Sequence, residues 1–159
     1  RIWWGSGSNG TARWAAEQGM NLQRSTLKDD ETGEPFHVQQ AEQIRTYHQA
    51  WAQAGHTRSP RVSVSRSIFA ITSQQDRDFF GGMAQGGDQI GYLDEHTRAI
   101  FGRSYAAEPD KLIEQLAADE AVALADTLLL TIPNQLGVDY CVHLMDTLLR
   151  EVAPALGWR

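Results

Sequence analysis

Strand-like and helix-like segments alternate about four times along this chain, and that alternation restricts its fold more than any other feature of the sequence. Residues 1–5 (RIWWG) have the composition of a strand. After a short polar loop, residues 12–17 (ARWAAE) favour a helix, which Gly19 closes. Residues 20–27 are expected to form a second short strand. Strands that alternate with helices in this way predict right-handed βαβ units and a parallel sheet.

The rest of the chain repeats the pattern. Between residues 37 and 54 apolar side chains recur every three or four positions, which predicts a helix with one buried face. Residues 61–71 alternate and are rich in β-branched side chains, so they predict a strand. A helix of about ten residues is expected to begin at Glu108-Pro109. Residues 124–132 form an apolar run typical of a buried parallel strand, and residues 138–156 predict a closing amphipathic helix.

Four such units build either a small doubly wound sheet or half of an eightfold barrel. A complete barrel needs about 250 residues, whereas this chain, which we treat as a single domain over residues 1–159, is much shorter. About half of the barrel would then be absent. Because the chain opens inside a strand with no turn or cap before it, we expect a fragment, a processed chain or one piece of a nicked protein. The glycine-rich segment 81–91 is expected to be a mobile loop and a candidate lid.

Charge and cysteine content narrow the class of protein. The chain carries 14 Lys and Arg against 20 Asp and Glu, a formal charge of -6, and has no basic run. A nucleic-acid groove would need a basic stripe. The longest apolar stretch, residues 121–132, is interrupted by Asp126 and is shorter than the roughly 20 residues of a spanning helix. From the charge and the apolar stretch we expect neither nucleic-acid nor membrane partners. The single cysteine, Cys141, has no partner for an internal disulfide, so we expect a cytoplasmic protein.

The strongest local motif is the loop of residues 5–11 (GSGSNGT), which lies between the first strand and the first helix. Backbone N–H groups at a helix N-terminus, small residues and two hydroxyl groups are suited to bind a phosphate. The motif lacks the lysine of a Walker loop and does not match the GxGxxG spacing of a dinucleotide fingerprint. The alternative is an ordinary capped turn, in which Ser8 or Asn9 is the N-cap.

Several segments resemble the bacterial luciferase-like, flavin-dependent monooxygenases. Residues 1–8 and 11–22 are similar to the fifth-strand segment of that family. Residues 100–105, which lead to Glu108-Pro109, and residues 125–137, which resemble the last strand and the start of the final helix, support the similarity. The resemblance covers almost the whole chain but only the C-terminal half of the family's barrel. It implies an α/β fold of about four βα units, strands 5 to 8 of a TIM (β/α)8 barrel.

The resemblance also implies a cofactor and its contacts. The family binds FMN, or in one branch the deazaflavin F420, at the C-terminal ends of the strands. A serine and a threonine in the loop after the fifth strand hold the flavin phosphate, and they correspond to Ser8 and Thr11. Asn9 and Gly10 would add backbone donors, and Gly7 is one of the small residues that let the ligand approach. The implied reaction uses reduced FMN, supplied by a separate flavin reductase, and O2 to oxygenate a small organic substrate.

Three further residues are candidates for the site. Arg66 corresponds to an arginine that in some family members faces an anionic substrate or the flavin, and its alternative is a strand-end arginine paired with a surface carboxylate. Arg103 is a candidate phosphate or substrate contact, and the alternative is a solvated loop arginine. Asn134 follows the last apolar strand, where it would either touch the flavin or substrate or cap the closing helix.

No metal site is expected, because His37, His48, His56, His96 and His143 lie on separate segments without ligand spacing.

Half a barrel would expose strand edges and an apolar inner face, so we expect a separate N-terminal half-barrel chain or a second copy as partner. Three alternatives stay open: a non-catalytic flavin-binding protein, an F420-dependent hydride-transfer enzyme and an unrelated phosphate-binding α/β domain.

Overall fold

The computed structural model describes residues 2–29 and 31–158, which form a mixed α/β fold. The chain is divided into two compact units. The first unit comprises the residues up to Ser65 together with Asp88–Gly102 and Asp119–Leu129. The second comprises Arg66–Gly87, Arg103–Ala118 and the residues from Leu130 onward.

The strands are β1 (Trp3–Gly5), β2 (Asn21–Arg24), β3 (Leu27–Lys28), β4 (Val62–Arg66), β5 (Ile68–Ala70), β6 (Gln89–Tyr92), β7 (Arg98–Phe101), β8 (Tyr105–Ala107) and β9 (Thr127–Leu130). The α-helices are α1 (Asn9–Glu17), α2 (Phe36–Gln53), α3 (Gln74–Phe80), α4 (Pro109–Ala117), α5 (Glu120–Leu124) and α6 (Val138–Thr147). Short 3-10 turns cover Gly81–Met83 and Asn134–Leu136, and a π-helical turn covers Leu148–Val152.

The main sheet has the strand order β1-β2-β4-β9, so strands follow one another across the sheet as they do along the chain. β1 pairs in parallel with β2, and β2 pairs in parallel with β4. β9 runs in the same direction beside β4, because Asp126 N–H donates to the Val62 carbonyl and Thr131 N–H donates to the Arg66 carbonyl. The predicted α/β class with a parallel sheet is therefore confirmed.

In the first unit, α1 packs against α2 through small side chains. Ala12, Ala15 and Ala16 of α1 are completely buried. Alanine combines high helix propensity with a small side chain, which lets the two helices approach closely. On α2 the buried face carries Ile44 and Tyr47 at the three- to four-residue spacing that predicted this helix.

The second unit has its own parallel pair, β5 with β8, and a small apolar core. The rings of Phe69 and Phe80 stack in this core with centroids 4.1 Å apart. α4 begins with Pro109 at its first helical position, as expected, and buries Leu112 and Leu116.

Some elements differ from the sequence-based expectations. The strand expected over residues 61–71 is interrupted at Ser67, so that β4 and β5 pair in different sheets. Segment 81–91, expected to be a loop, contains a 3-10 turn and most of β6. β6 is the outer strand of a three-stranded sheet with the order β3-β7-β6, in which β7 pairs antiparallel with both neighbours.

The last apolar run was expected to be a buried strand, and this is wrong in part. Leu129 is 37% exposed and Ile132 is 38% exposed. The physical reason is position, because β9 is the outermost strand of its sheet in the described chain and only β4 lies beside it. Across residues 2–29 and 31–158, none of the helices combines the length and apolar character needed to cross a bilayer.

Candidate functional site

The loop between β1 and α1 has the geometry of a capped helix start. Ser8 is the N-cap, with extended backbone angles of φ -116° and ψ 164°. Its Oγ accepts a hydrogen bond from Thr11 N–H at 3.3 Å, and Thr11 Oγ1 accepts one from Ser8 N–H at 3.4 Å. This reciprocal pair is a capping box. The capped-turn interpretation is therefore confirmed for Ser8, while Asn9 is the first helical residue instead.

A buried amide holds this loop from the side of α2. Gln43 is completely buried, and its Nε2 donates to the Ser8 carbonyl and, at 3.3 Å, to Ser6 Oγ. Ser6 Oγ in turn lies 2.6 Å from Thr11 Oγ1. Gln43 was not among the residues predicted from the sequence, although a glutamine within the apolar face of a predicted helix is a signal for a buried polar contact.

Open space lies beside the start of α1. A Cβ built on Gly10 would meet only Ser8 Oγ, at 3.9 Å, and one built on Gly5 would meet nothing within 4 Å. The N–H groups of Asn9 and Gly10 belong to the first turn, where the helix itself supplies no acceptor. An anion is stabilised at such a terminus by these donors and by the helix dipole.

The Gly7 end of the loop is covered by a carboxylate. A Cβ built on Gly7 would lie 2.6 Å from Asp29 Oδ2 and 2.8 Å from Asp29 Oδ1. The Oδ1 atom is buried and has no hydrogen-bond partner among the residues that the structure describes. The loop therefore leaves room for an anion at its helix end, near Asn9 and Gly10, whereas an anion reaches Gly7 only after Asp29 has moved.

The other three candidate residues belong to the second unit. Arg66 is the last residue of β4, as in the alternative interpretation, and it is only 2% exposed. Its pairing with a surface carboxylate and its contact with substrate or flavin both stay predictions. Arg103 is half-buried, and its Cζ lies 5.4 Å from the centroid of the Tyr105 ring. Asn134 is exposed and begins a 3-10 turn. It does not cap the closing helix, because the N-cap of α6 is Gly137. The structure thus places Gly7–Thr11 in one loop, while the roles of all these residues stay predictions.

A polar cluster that was not predicted from the sequence joins α3 to α6. Asp76 of α3 is completely buried, and its carboxylate accepts hydrogen bonds from Thr72 N–H at 3.0 Å and Ser73 N–H at 2.9 Å. Two side chains of α6 bind the same carboxylate: the Tyr140 hydroxyl donates to Oδ1, and His143 Nε2 lies 3.0 Å from Oδ1. Asp76 and His143 are 67 positions apart in the sequence.

These contacts fix the ionisation of two members of the cluster. Burial alone raises the pKa of the Asp76 carboxyl, but hydrogen bonds from Tyr140, Thr72, Ser73 and His143 outweigh it and hold that pKa well below its usual range. Burial and the hydrogen bond to Asp76 raise the pKa of the Tyr140 hydroxyl far above its usual value. At neutral pH, Asp76 is therefore an anion and Tyr140 a neutral donor.

A cavity of about 550 Å³ opens beside this cluster. Its walls combine polar and apolar side chains from the start of α3 and the start of α6. Ser73 and Gln75 contribute from the α3 side, and Leu136, Val138, Asp139, Tyr140 and His143 from the α6 side.

Comparison with known proteins identifies the fold but not the family. No protein-family model matches the sequence, and no curated protein matches it either. Among solved structures, the chain resembles the monooxygenase RslO1 from Streptomyces bottropensis with a TM-score of 0.64 and 13% identity, over 98% of this chain and 48% of that chain.

Two further solved structures are similar. One is a type II Baeyer-Villiger monooxygenase, the oxygenating constituent of 3,6-diketocamphane monooxygenase from the CAM plasmid of Pseudomonas putida, in complex with FMN. It has a TM-score of 0.58 and 15% identity, over 96% of this chain and 47% of that chain. The other is apo-MsnO8, with a TM-score of 0.56 and 16% identity, over 99% of this chain and 51% of that chain. The chain thus spans about half the length of the proteins whose fold it shares.

Proposed function

We propose that this chain is the C-terminal half, strands 5 to 8, of a TIM-barrel flavin-dependent monooxygenase of the bacterial luciferase-like type. The observation that carries the proposal is the sequential parallel order β1-β2-β4-β9 with a capped glycine loop directly after β1. The likeness to about half of each of two proteins described as monooxygenases supports it. On this proposal the first, second, fourth and ninth strands correspond to barrel strands 5, 6, 7 and 8.

The loop residues hold the cofactor phosphate in this proposal. Ser8 and Thr11 bring their hydroxyl groups to it, and Asn9 and Gly10 donate their backbone N–H groups at the positive end of α1. Gly7 leaves room for the phosphate once Asp29 has moved. Arg103 is assigned to an anionic group of the cofactor or of the substrate.

Arg66 and Asn134 are assigned to the reacting end of the cofactor and substrate. FMN, when bound, supplies the redox chemistry with O2, and the protein positions the reactants and excludes water. The buried Arg66 guanidinium balances negative charge at that end, since a guanidinium keeps its proton in a protein. The Asn134 amide, at the start of a 3-10 turn, donates to and accepts from substrate or flavin ring polar atoms.

The proposal requires partners for complete activity. A flavin reductase supplies reduced FMN, and O2 and a small organic compound are the substrates. The N-terminal half-barrel, as a separate chain or as part of a longer one, or a second copy of this chain covers the apolar side chains of β9.

One substitution tests the phosphate site without removing the cap. Asn9→Pro deletes a backbone N–H at the first helical position, where proline is favoured, and the extended conformation of Ser8 suits a residue before proline. We expect FMN affinity to fall about tenfold to a hundredfold, which corresponds to one lost hydrogen bond to a charged group. The affinity for riboflavin, which lacks the phosphate, is expected to stay unchanged. Fluorescence titration measures both constants.

Asn9→Ala is the matched control, because it removes the same side chain and keeps the N–H. Equal FMN affinities for Asn9→Pro and Asn9→Ala would contradict the assignment of the loop.

Consumption of O2 by the flavin-loaded protein with candidate aldehydes, alkanes or sulfonates separates a monooxygenase from a non-catalytic flavin-binding protein. Reduction of substrate by F420 without O2 would instead support the hydride-transfer alternative.

A further inference from the structure

We propose that His143 and Asp76 form a proton-accepting site for a small neutral phenol or enol that binds in the cavity beside them. His143 is the catalytic residue of this site, because it contacts the ligand hydroxyl, and Asp76 is its positioning residue. The site lies within the second unit and does not depend on the flavin-binding loop.

The hydrogen bonds around Asp76 determine which nitrogen of His143 is basic. An ionised carboxylate only accepts hydrogen bonds, so the Nε2 atom, 3.0 Å from Asp76 Oδ1, must donate its proton to it. The neutral ring then carries its lone pair on Nδ1. Donors from the backbone and from Tyr140 fix the carboxylate as well, and it therefore holds the imidazole in one orientation.

Burial separates the roles of the two residues. Asp76 is completely buried, whereas the His143 side chain is 38% exposed and lines the cavity. The ring is therefore accessible on one side and anchored on the other. The same arrangement, a histidine oriented by a buried carboxylate, activates hydroxyl groups in known general-base sites.

The walls of the cavity select the class of ligand. Leu136, Val138 and the Tyr140 ring present apolar surface that suits a planar ring. Ser73 and Gln75 add polar groups that accept or donate hydrogen bonds.

The acidic groups at the cavity oppose a ligand that enters as an anion. Asp139 of α6 lines the cavity, and the buried carboxylate of Asp76 lies behind His143, so a neutral hydroxyl compound fits best. The cavity volume of about 550 Å³ lies within the range of small-molecule sites.

The proposed step is a proton transfer without a redox change. The O–H bond of the ligand breaks, its electron pair stays on the oxygen, and the proton forms a new bond to His143 Nδ1. The imidazolium that results lies between the new phenolate and the Asp76 carboxylate, which both stabilise it.

The test uses 4-nitrophenol, whose phenolate absorbs in the visible range, with the whole chain. We expect the bound probe to ionise at a lower pH than the free probe, and saturation to shift the ring nitrogen signals of His143 in NMR spectra. His143→Gln is expected to abolish the spectral change and weaken binding at least fivefold. His96→Gln, which changes an exposed loop histidine, is the matched control and should leave both unchanged.

Tyr140→Phe serves as a second variant, because it keeps the ring wall and removes one donor to Asp76. We expect it to retain binding and to shift the pH at which the bound probe ionises, a change that a purely structural contact between α3 and α6 would not produce. An ionisation of the probe that the protein does not alter, or His143 ring signals that do not move at saturation, would overturn the proposal.

Discussion

The carboxylate of Asp29 lies against the backbone of Gly7, in the loop that leads into α1. A side chain at position 7 would collide with it, since even a Cβ would come within 2.6 Å of Oδ2. One anion thus lies at the place where the proposed phosphate site begins. Its Oδ1 atom has no hydrogen-bond partner in residues 2–29 and 31–158. This oxygen therefore gains no stabilising hydrogen bond from those residues.

Asp29→Asn is expected to strengthen FMN binding about threefold to tenfold, because it removes the negative charge that a phosphate at Gly7 would meet. Titration with FMN and with riboflavin measures the effect, which should be confined to FMN. Glu34→Gln removes the charge of an exposed residue in the following loop and is the control. Equal or weaker FMN binding by Asp29→Asn would show that the phosphate does not approach Gly7.

Gln43→Leu is expected to destabilise the first unit by about 1–3 kcal/mol, because the Ser8 carbonyl and Ser6 hydroxyl each lose a buried donor. Urea unfolding followed by circular dichroism measures the change. Gln49→Leu, at an exposed position of the same helix, should change the free energy of unfolding by no more than about 0.5 kcal/mol. Similar losses in both variants would mean that the amide contacts contribute nothing specific.

Gly102→Ala is expected to lower the free energy of unfolding by about 1–3 kcal/mol, because the added methyl group overpacks its surroundings. A Cβ at this position would lie 2.5 Å from Cδ1 of Phe36, which is itself buried at the start of α2. Gly82→Ala is the control, since a Cβ there meets nothing within 4 Å. Thermal unfolding of the two variants gives the comparison, and a fully stable Gly102→Ala protein would contradict the close packing.

Asp76→Asn is expected to flatten the acid limb of the stability curve. The pKa of Asp76 is lower in the folded chain than its ordinary value of 3.8, so the stabilisation is complete above that value and is lost as the pH falls further. Urea unfolding between about pH 2 and pH 6 should show a steeper decline for the natural chain than for the variant. Asp78→Asn, at an exposed site on the same helix, should keep the steep decline.

Tyr47→Phe is expected to change the alkaline limb. Burial raises the pKa of Tyr47 from 10.0 to about 12, with Arg58 opposing and Asp126 adding to the shift, and its hydroxyl donates to the Met20 carbonyl at 2.8 Å. Because the pKa of Tyr47 is higher in the folded chain than its ordinary value, the neutral hydroxyl stabilises the fold fully below about pH 10. This contribution to the free energy of unfolding, about 1–3 kcal/mol, is lost as the pH rises to about 12. The variant should lack this loss in urea unfolding at alkaline pH.

The order of strands and helices was predictable because local signals agree with the fold. Pro109 begins α4, and the apolar spacing of α2 gives its buried face. The pairing of β6 with β7 was not predictable in the same way. Gly91 argues against a strand, yet the structure uses it there because a Cβ would lie 3.2 Å from the Phe101 ring.

Only the local polar contacts could be predicted from the sequence. Ser8 and Thr11 cap the same helix three residues apart, so their spacing indicates the contact. The other polar contacts depend on tertiary packing. Asp76 and His143 meet only because α3 packs on α6, and each alone is an ordinary helix residue. Asp29 belongs to a charged segment that looks solvated, and only the fold brings its carboxylate to Gly7.

The central place of β4 has a consequence for hydrogen–deuterium exchange. Because β2 lies along one edge of this strand and β9 along the other, the amides of Val62–Val64 lose their protection only when the sheet separates. The outer strand β1, with a described neighbour on one edge alone, exchanges through fraying at lower cost. The slowest exchange rates in the sheet are therefore expected on β4, where they report the free energy of opening the whole sheet.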